Sequence, residues 1–264
     1  MSILKELAER VDGCPASISV IRTQWEQKLP MHKHEKGQLL LVTDGMANLR
    51  TKEKDLYVPL NHYIWMPKKY AHNLMFNSRN LHIINIYFPD HEEADHHFYD
   101  DLGIYPVSSL LSELLKFCSQ WNGDFLPGSW EYEYLLTLKH LLPREDLKKF
   151  SIQLPVTDHP RLNEMLTFIR ENLESPLTLE YMSMRFAMSV RSFTRFFSNE
   201  LQVSFVQYLK MIRIIRAMEL MQETDLSMSE IAYQIGYSNI SAFSNMFQQL
   251  TNMRPTAFKL MSSK

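Results

Sequence analysis

Between residues 16 and 88 the apolar side chains come in short runs, rich in Ile, Val, Leu, Tyr and Trp and broken by Gly, Pro, Asn or Asp. ISVIRTQW, GQLLLVTDG, MANLRTK, NHYIWMP and NLHIINIYF have the length and composition of strands, which predicts a sandwich or small barrel. Asp44-Gly45 is a hairpin-type dipeptide between two of these runs. Beyond Pro89-Asp90 the period becomes helical. In SSLLSELLKFCSQW, Leu110, Leu111, Leu114, Leu115 and Cys118 form an apolar stripe, either packed on the β domain or serving as a seam between two copies. EYEYLLTLKHLL predicts another helix, stopped by Pro143, and the proline-containing SIQLPVTDHP reads as a linker.

From Arg161 onward the pattern is helical with short, regular breaks: RLNEMLTFIRENL, LTLEYMSMRF, VRSFTRFFSNEL, the long SFVQYLKMIRIIRAMELM, MSEIAYQI and NISAFSNMFQQL. The fold class expected is α+β in two domains. A β-barrel over residues 1–90 is followed by a helical connector and dimerisation region over 91–155 and an all-α domain over 156–264.

The all-α part offers two helix-turn-helix units, each a support helix, a tight turn and a second helix that presents its first turns to DNA. Thr178 is placed to cap LEYMSMRF and Ser189 to cap VRSFTRFFSNEL. In the latter, Phe193, Phe196 and Phe197 are expected to face inward, while Arg191, Thr194, Arg195 and Ser198 share an outer face with Ser192 beside them. In the second unit Ser227 and Glu230 form a capping box, Gly236 ends the support helix, and Ser238 is the expected cap of NISAFSNMFQQL. There Ile240, Phe243 and Phe247 are assigned inward, and Asn239, Ser241, Ser244, Asn245 and Gln248 outward. The intervening long helix, of about 18 residues, would span roughly 27 Å. It would separate two recognition helices by about one turn of the duplex, roughly 34 Å.

Charge sharpens this reading only locally. Net charge is −2, and residues 156–264 carry 11 basic and 10 acidic side chains. Yet Arg185, Arg191, Arg195, Lys210, Arg213 and Arg216 face a single acid, Glu200, within 185–216. No apolar run reaches the roughly 18 residues of a membrane span, and the N-terminal segment lacks the pattern of a signal peptide. Cys14 and Cys118 lie far apart and read as ordinary thiols of a reducing compartment. A cytoplasmic location and no membrane partner are expected.

The stretch MSVRSFTRFFSNELQVSFVQYLKMIRIIRAMELM followed by LSMSEIAYQIGYSNISAFSNMFQQLTNMRPTAF resembles the AraC/XylS family of transcription regulators over about 100 residues. The resemblance includes Tyr208, Arg213 and Ala217 in the linker helix and the I-A-x-x-x-G-[FY]-x-x-x-S-x-F spacing that follows. It implies double-stranded DNA as partner, read chiefly by Arg191, Thr194 and Arg195 in the first helix and Ser241, Ser244 and Asn245 in the second. It also implies a homodimer and activation through RNA polymerase. The chain departs from the family at Ala187, where glycine is usual and a strained turn is expected, at Ser183 in place of alanine, and at Asn245 in place of a basic residue.

All ten histidines lie between His32 and His159. His32 and His34 are two residues apart on an expected strand and so share a face; Gln38 follows, and His72 comes after MPKKYAH. This order resembles the cupin barrels that serve as sensor domains in the family, whose metal centres use three histidines and a glutamate. The implied site is His32, His34, Gln38 and His72, with Trp65, Tyr63 and Asn61 candidates for the barrel mouth. Three readings stand open: a divalent transition metal held by the His/Gln set, a metal-free pocket for a small polar or anionic effector, or histidines satisfied within a core. Two other functions compete with the regulator: a cupin-type metal-dependent enzyme fused to a DNA-binding domain, and a DNA-binding protein whose β domain only dimerises. No nucleophile–base pair, phosphate loop or dinucleotide motif is present, so no catalytic residue is assigned.

Overall fold

The run GQLLLV is apolar at consecutive positions because both faces of its strand are covered, and residues 37–42 are all buried. In the computed structural model, residues 9–24, 29–75, 81–90, 96–145, 148–150 and 152–262 are described. The chain divides into two units, residues 1–51 with 58–150 and residues 52–57 with 151–264.

In the first unit, β1 (Ile18–Gln24), β3 (Gly37–Asp44), β6 (His62–Met66), β8 (His82–Phe88), β9 (Gly103–Pro106) and β10 (Gly123–Phe125) form one antiparallel sheet in the order β10-β1-β8-β3-β6-β9. A second antiparallel set contains β4 (Ala47–Arg50), β7 (His72–Met75) and β2 (Leu29–His32). Directly opposed residues of antiparallel strands share a face. The pairings Leu39↔Trp65 and Leu39↔Ile86 therefore set one face, and Gln38↔Met66 and Gln38↔Tyr87 the other. The first face, with Ile18, Val20 and Phe88, packs against α1 (Ser109–Phe117) and α2 (Trp130–Leu141) through Leu111, Leu115, Cys118, Tyr132, Leu135 and Leu138. Truncating such a leucine to alanine typically costs about 2–5 kcal/mol. Of the expected stripe, Leu111, Leu115 and Cys118 are buried, Leu114 is half-buried and Leu110 is exposed; Phe117, outside the stripe, and Trp130 are also more than half exposed.

Two expectations change here. Asp44-Gly45 does not close a hairpin, because β3 bonds to β6 and β8 while β4 bonds to β7; the turn, with Gly45 at φ 72°, carries the chain from one sheet to the other. Beyond residue 90 the chain is not helical throughout, because β9 and β10 add strands of three or four residues, too short for a periodic signature.

The second unit contains α3 (Pro160–Glu171), α4 (Leu179–Arg185), α5 (Val190–Leu201), α6 (Phe205–Glu223), α7 (Met228–Gln234), α8 (Ile240–Thr251) and α9 (Pro255–Ser262). It also holds the antiparallel pair β5 (Lys54–Val58) and β11 (Gln153–Pro155). No described helix is long and apolar enough to cross a membrane. Two copies of one design follow each other. Thr178 and Ser227 cap α4 and α7, and both helices close with paired backbone bonds: Ala187 to Met184 with Met188 to Ser183, then Gly236 to Tyr233 with Tyr237 to Ala232. Ser189 caps α5 through the amide of Ser192, and Asn239, fifty positions later, caps α8 through the amide of Ala242. Each of these helices ends on a left-handed residue, Gln202 at φ 56° and Asn252 at φ 59°. Ser238 is therefore not the cap: the second turn is one residue longer than the first, and Asn239 takes that role. Ser183, in place of alanine, is buried and satisfied by donating to the carbonyl of Glu180.

The strain expected at Ala187 is present, since its φ is 51°, in the region that penalises a side chain with a Cβ. Gly236, at φ 81°, is the residue that cannot change, because a Cβ there would lie 2.3 Å from the carbonyl oxygen of Leu173. Urea denaturation should show Ala187→Gly stabilising by up to about 1 kcal/mol and Gly236→Ala destabilising by about 2 kcal/mol or more. Equal and small effects at both positions would contradict this account of the turns.

Candidate nucleic-acid interface and histidine cluster

Phe193 and Phe197 of α5 are fully buried and meet Phe205 edge to face, and Phe197 reaches Tyr208; Phe243 and Phe247 of α8 are likewise buried in contact with each other, and Phe247 meets Phe258. These rings fix which side of each helix faces out. Arg191 and Arg195 are exposed, and Ser192, Thr194 and Ser198 are half-buried beside them. On α8, Ser241, Asn245 and Gln248 are exposed and Ser244 is half-buried. Ser192 and Asn239 also have structural duties: the Ser189 hydroxyl is 2.9 Å from that of Ser192, and Asn239 caps its helix. Phe196 and Ile240 do not face the core as expected. Phe196 is half-buried with its ring against His159, and Ile240 is 43% exposed at the first position of α8, matching Val190 at the first position of α5.

The basic run also sorts itself. Arg185 lies over the Phe168 ring, Arg213 binds the carbonyls of Leu173 and Ser175, and Arg216 pairs with Glu219 at 2.8 Å. Arg191, Arg195 and Lys210 are exposed and carry no hydrogen bond or ion pair to any described residue. Two guanidinium groups in the first turns of α5, free of internal partners among the described residues, are what bidentate contact with guanine or phosphate would need.

In the β unit, His32, His34 and His72 converge, with ring centres 4.5 Å apart for His32–His72, 5.3 Å for His34–His72 and 6.2 Å for His32–His34. They arrive differently from the expected pair on one strand: β2 ends at His32, and His34 lies in the following loop. The Nδ1 of each ring points at a backbone carbonyl, of Pro30, Lys36 and Tyr70 respectively. The Gln38 amide lies 2.8 Å from His34 Nε2 and 2.7 Å from the amide of Asn85, which the sequence did not single out. Burial depresses the pKa of all three imidazoles, and His72, beside His32 and His34, falls to about 3. Neutral rings with Nδ1 held by carbonyls are common in metal centres. Here, however, His34 Nε2 is occupied by Gln38, and among the described residues no three His, Cys, Asp or Glu are arranged to hold a metal ion. The residues as placed do not fit a three-histidine, one-carboxylate centre. Trp65 must also leave the lining set. It is fully buried on the opposite face of the sheet from Gln38, its indole N–H donating to the Tyr99 carbonyl, and Tyr63 shares that face.

A family model described as a helix-turn-helix domain matches residues 182–261. Over 98% of this chain and 97% of its own length, the uncharacterized HTH-type transcriptional regulator YdeC of Bacillus subtilis is 24% identical. The HTH-type transcriptional activator RhaR of Mannheimia succiniciproducens is 21% identical over 92% and 91% of the two chains. Among solved structures, ToxT of Vibrio cholerae covers 92% of this chain and 97% of its own at 15% identity, with a TM-score of 0.38.

The buried imidazoles give the β unit a signed response to acid. Burial pulls His62 down to about 4 and His72 to about 3, from 6.5 in an unfolded chain. Both stay neutral in the folded state while the unfolded state takes up protons. Stability is therefore complete above about pH 6.5 and falls as pH drops, by up to about 1.4 kcal/mol per unit for each ring. Urea midpoints at pH 7, 6 and 5 should decline, and His62→Gln should flatten the slope. A midpoint independent of pH in this range would contradict these assignments.

Proposed function

Because the chain belongs to the AraC/XylS family of DNA-binding transcription regulators, we propose that it reads an operator with α5 and α8 under the control of a small molecule held by its β unit. The observation that carries the reading is the repeated capped helix, with Arg191 and Arg195 exposed and unpartnered on the first copy. Arg195 suits guanine O6 and N7, and Thr194, Ser198, Ser241, Ser244, Asn245 and Gln248 supply shorter polar contacts. Val190 and Ile240, exposed at the first position of each helix, suit thymine methyl groups. With no basic residue on the outer face of α8, the first helix contributes more of the affinity.

Residues Gln38, Asn85, His34 and His72 line the inner face of the β unit and suit hydrogen bonding to a polar effector. The effector biases the geometry of two DNA-binding units on adjacent half-sites. Pairing into a homodimer is supported by the exposed Leu110, Phe117 and Trp130, an apolar group that a lone chain leaves in water. The activator name carried by RhaR favours activation through RNA polymerase over repression.

Sequencing the host genomic fragments that the purified chain retains tests the reading. The wild type should enrich a motif of two short blocks, and Arg191→Ala/Arg195→Ala should lose it. Arg195→Ala alone should cost about 1–3 kcal/mol at one guanine-containing position. A loss that is equal on every sequence would reduce Arg195 to a phosphate contact, and no enrichment with or without host extract would overturn the proposal.

A further inference from the structure

At one end of the β unit lies a cavity of about 330 Å³, lined by Asp12, Glu35, Lys36, Lys68, Lys69, Asp90 and two prolines. Most of these charges satisfy one another. Lys68 pairs with Asp90, Lys69 with Glu35 at 3.1 Å, and Asp12 accepts the backbone N–H of Glu35 at 3.2 Å. Lys36 differs from them. Its side chain is buried, only 2% exposed, and its Nζ donates to the hydroxyls of Ser17 at 3.1 Å and Ser19 at 3.0 Å. Among the described residues no carboxylate lies within ion-pair distance of it; Asp124 is reached only through Ser17. An ammonium has three N–H donors, and two are engaged here. Burying a charge is costly; Asp124 and Asp12 attract this one from beyond ion-pair distance, and with the serine hydroxyls they offset only part of that cost, so burial still holds the lysine below its ordinary pKa.

A second donor shares the face. Ser19 stands opposite Tyr87 across the β1–β8 pairing, which brings the Tyr87 side chain to the side that Ser19 occupies. The Tyr87 ring is 5.0 Å from that of His34, and its hydroxyl has no hydrogen-bond partner among the described residues. Lys36 lines the cavity of small-molecule size, and the Tyr87 O–H, which is not part of that lining, lies on the sheet face that Ser19 shares behind it.

We infer that the ligand of the β unit is a small organic monoanion whose carboxylate accepts from Lys36 Nζ and from the Tyr87 hydroxyl. The inference rests on the reading of the β unit as a sensor and names the chemical class that this sensor takes. A single negative charge matches the one lysine of the lining, Lys36, that has no carboxylate within ion-pair distance, because Lys68 and Lys69 already pair with Asp90 and Glu35. A neutral polyol would bring the ammonium no direct ion-pair partner.

Calorimetric unfolding of the full chain tests this with acetate, propionate and benzoate, each against its own amide at matched ionic strength. At least one carboxylate should raise the wild-type melting temperature by a few degrees in a saturable way, with its amide inert. Lys36→Met should abolish the response and Tyr87→Phe reduce it; the milder tyrosine change keeps the test decisive if the lysine variant folds poorly. Equal shifts in wild type and variants, equal shifts from acids and amides, or no shift from any carboxylate would overturn the inference. The genomic-fragment experiment is read separately. A chain that enriches its operator but ignores carboxylates loses only this ligand class, and one that binds carboxylates but no DNA loses the regulator reading.

Discussion

Helix α6 is the constraint on which the DNA-reading half depends. Its 19 residues span about 28 Å. Ten of its side chains are buried, so both helix-turn-helix units pack on it rather than on each other alone. Arg213, near its middle, fastens the arrangement. One guanidinium nitrogen donates to Leu173 and Ser175 beyond the end of α3, and the group lies over the Tyr237 ring in the second turn. Gly236 is small because the Leu173 carbonyl and Arg213 occupy the space a Cβ would need. The start of the unit, its central helix and its second turn thus share one contact. α6 holds α5 and α8 at a fixed spacing, which the proposed reading of one operator by both helices requires.

The β unit obeys a different constraint, the two-residue period of its strands. With Leu39 and Trp65 committed to the face under α1 and α2, register places Gln38, Asn85 and Tyr87 on the other side. The polar residues there are not scattered defects. His34, Gln38 and Asn85 form one hydrogen-bonded string, and Lys36 with Ser17 and Ser19 forms another. Buried polar groups are tolerated when they satisfy one another, and a cavity can use whichever donors remain.

The sequence was most legible where the physics is local. The caps Thr178, Ser189 and Ser227, the left-handed Gly236 and the strained Ala187 are short-range patterns, and the structure has each of them. Ser238 misled because serine and asparagine both cap well, and only the one-residue difference between the two turns separates them. Ile240 and Phe196 misled for a related reason: apolar character does not say whether the domain or a partner covers a side chain. Alternation leaves Trp65 only a candidate for the barrel mouth; its face is set by pairing with Leu39, far away in sequence. The same holds for Lys36 and Asn85, which carry no motif and gain meaning only from the strands opposite them.

Hydroxyl-radical footprinting of the full chain on its enriched operator tests the central claim, that α6 presents two recognition helices to one face of the duplex. Protection should fall in two patches whose centres are one helical turn, about 10 base pairs, apart on the same face for each bound chain. A single patch per chain, or two patches on opposite faces, would contradict the claim.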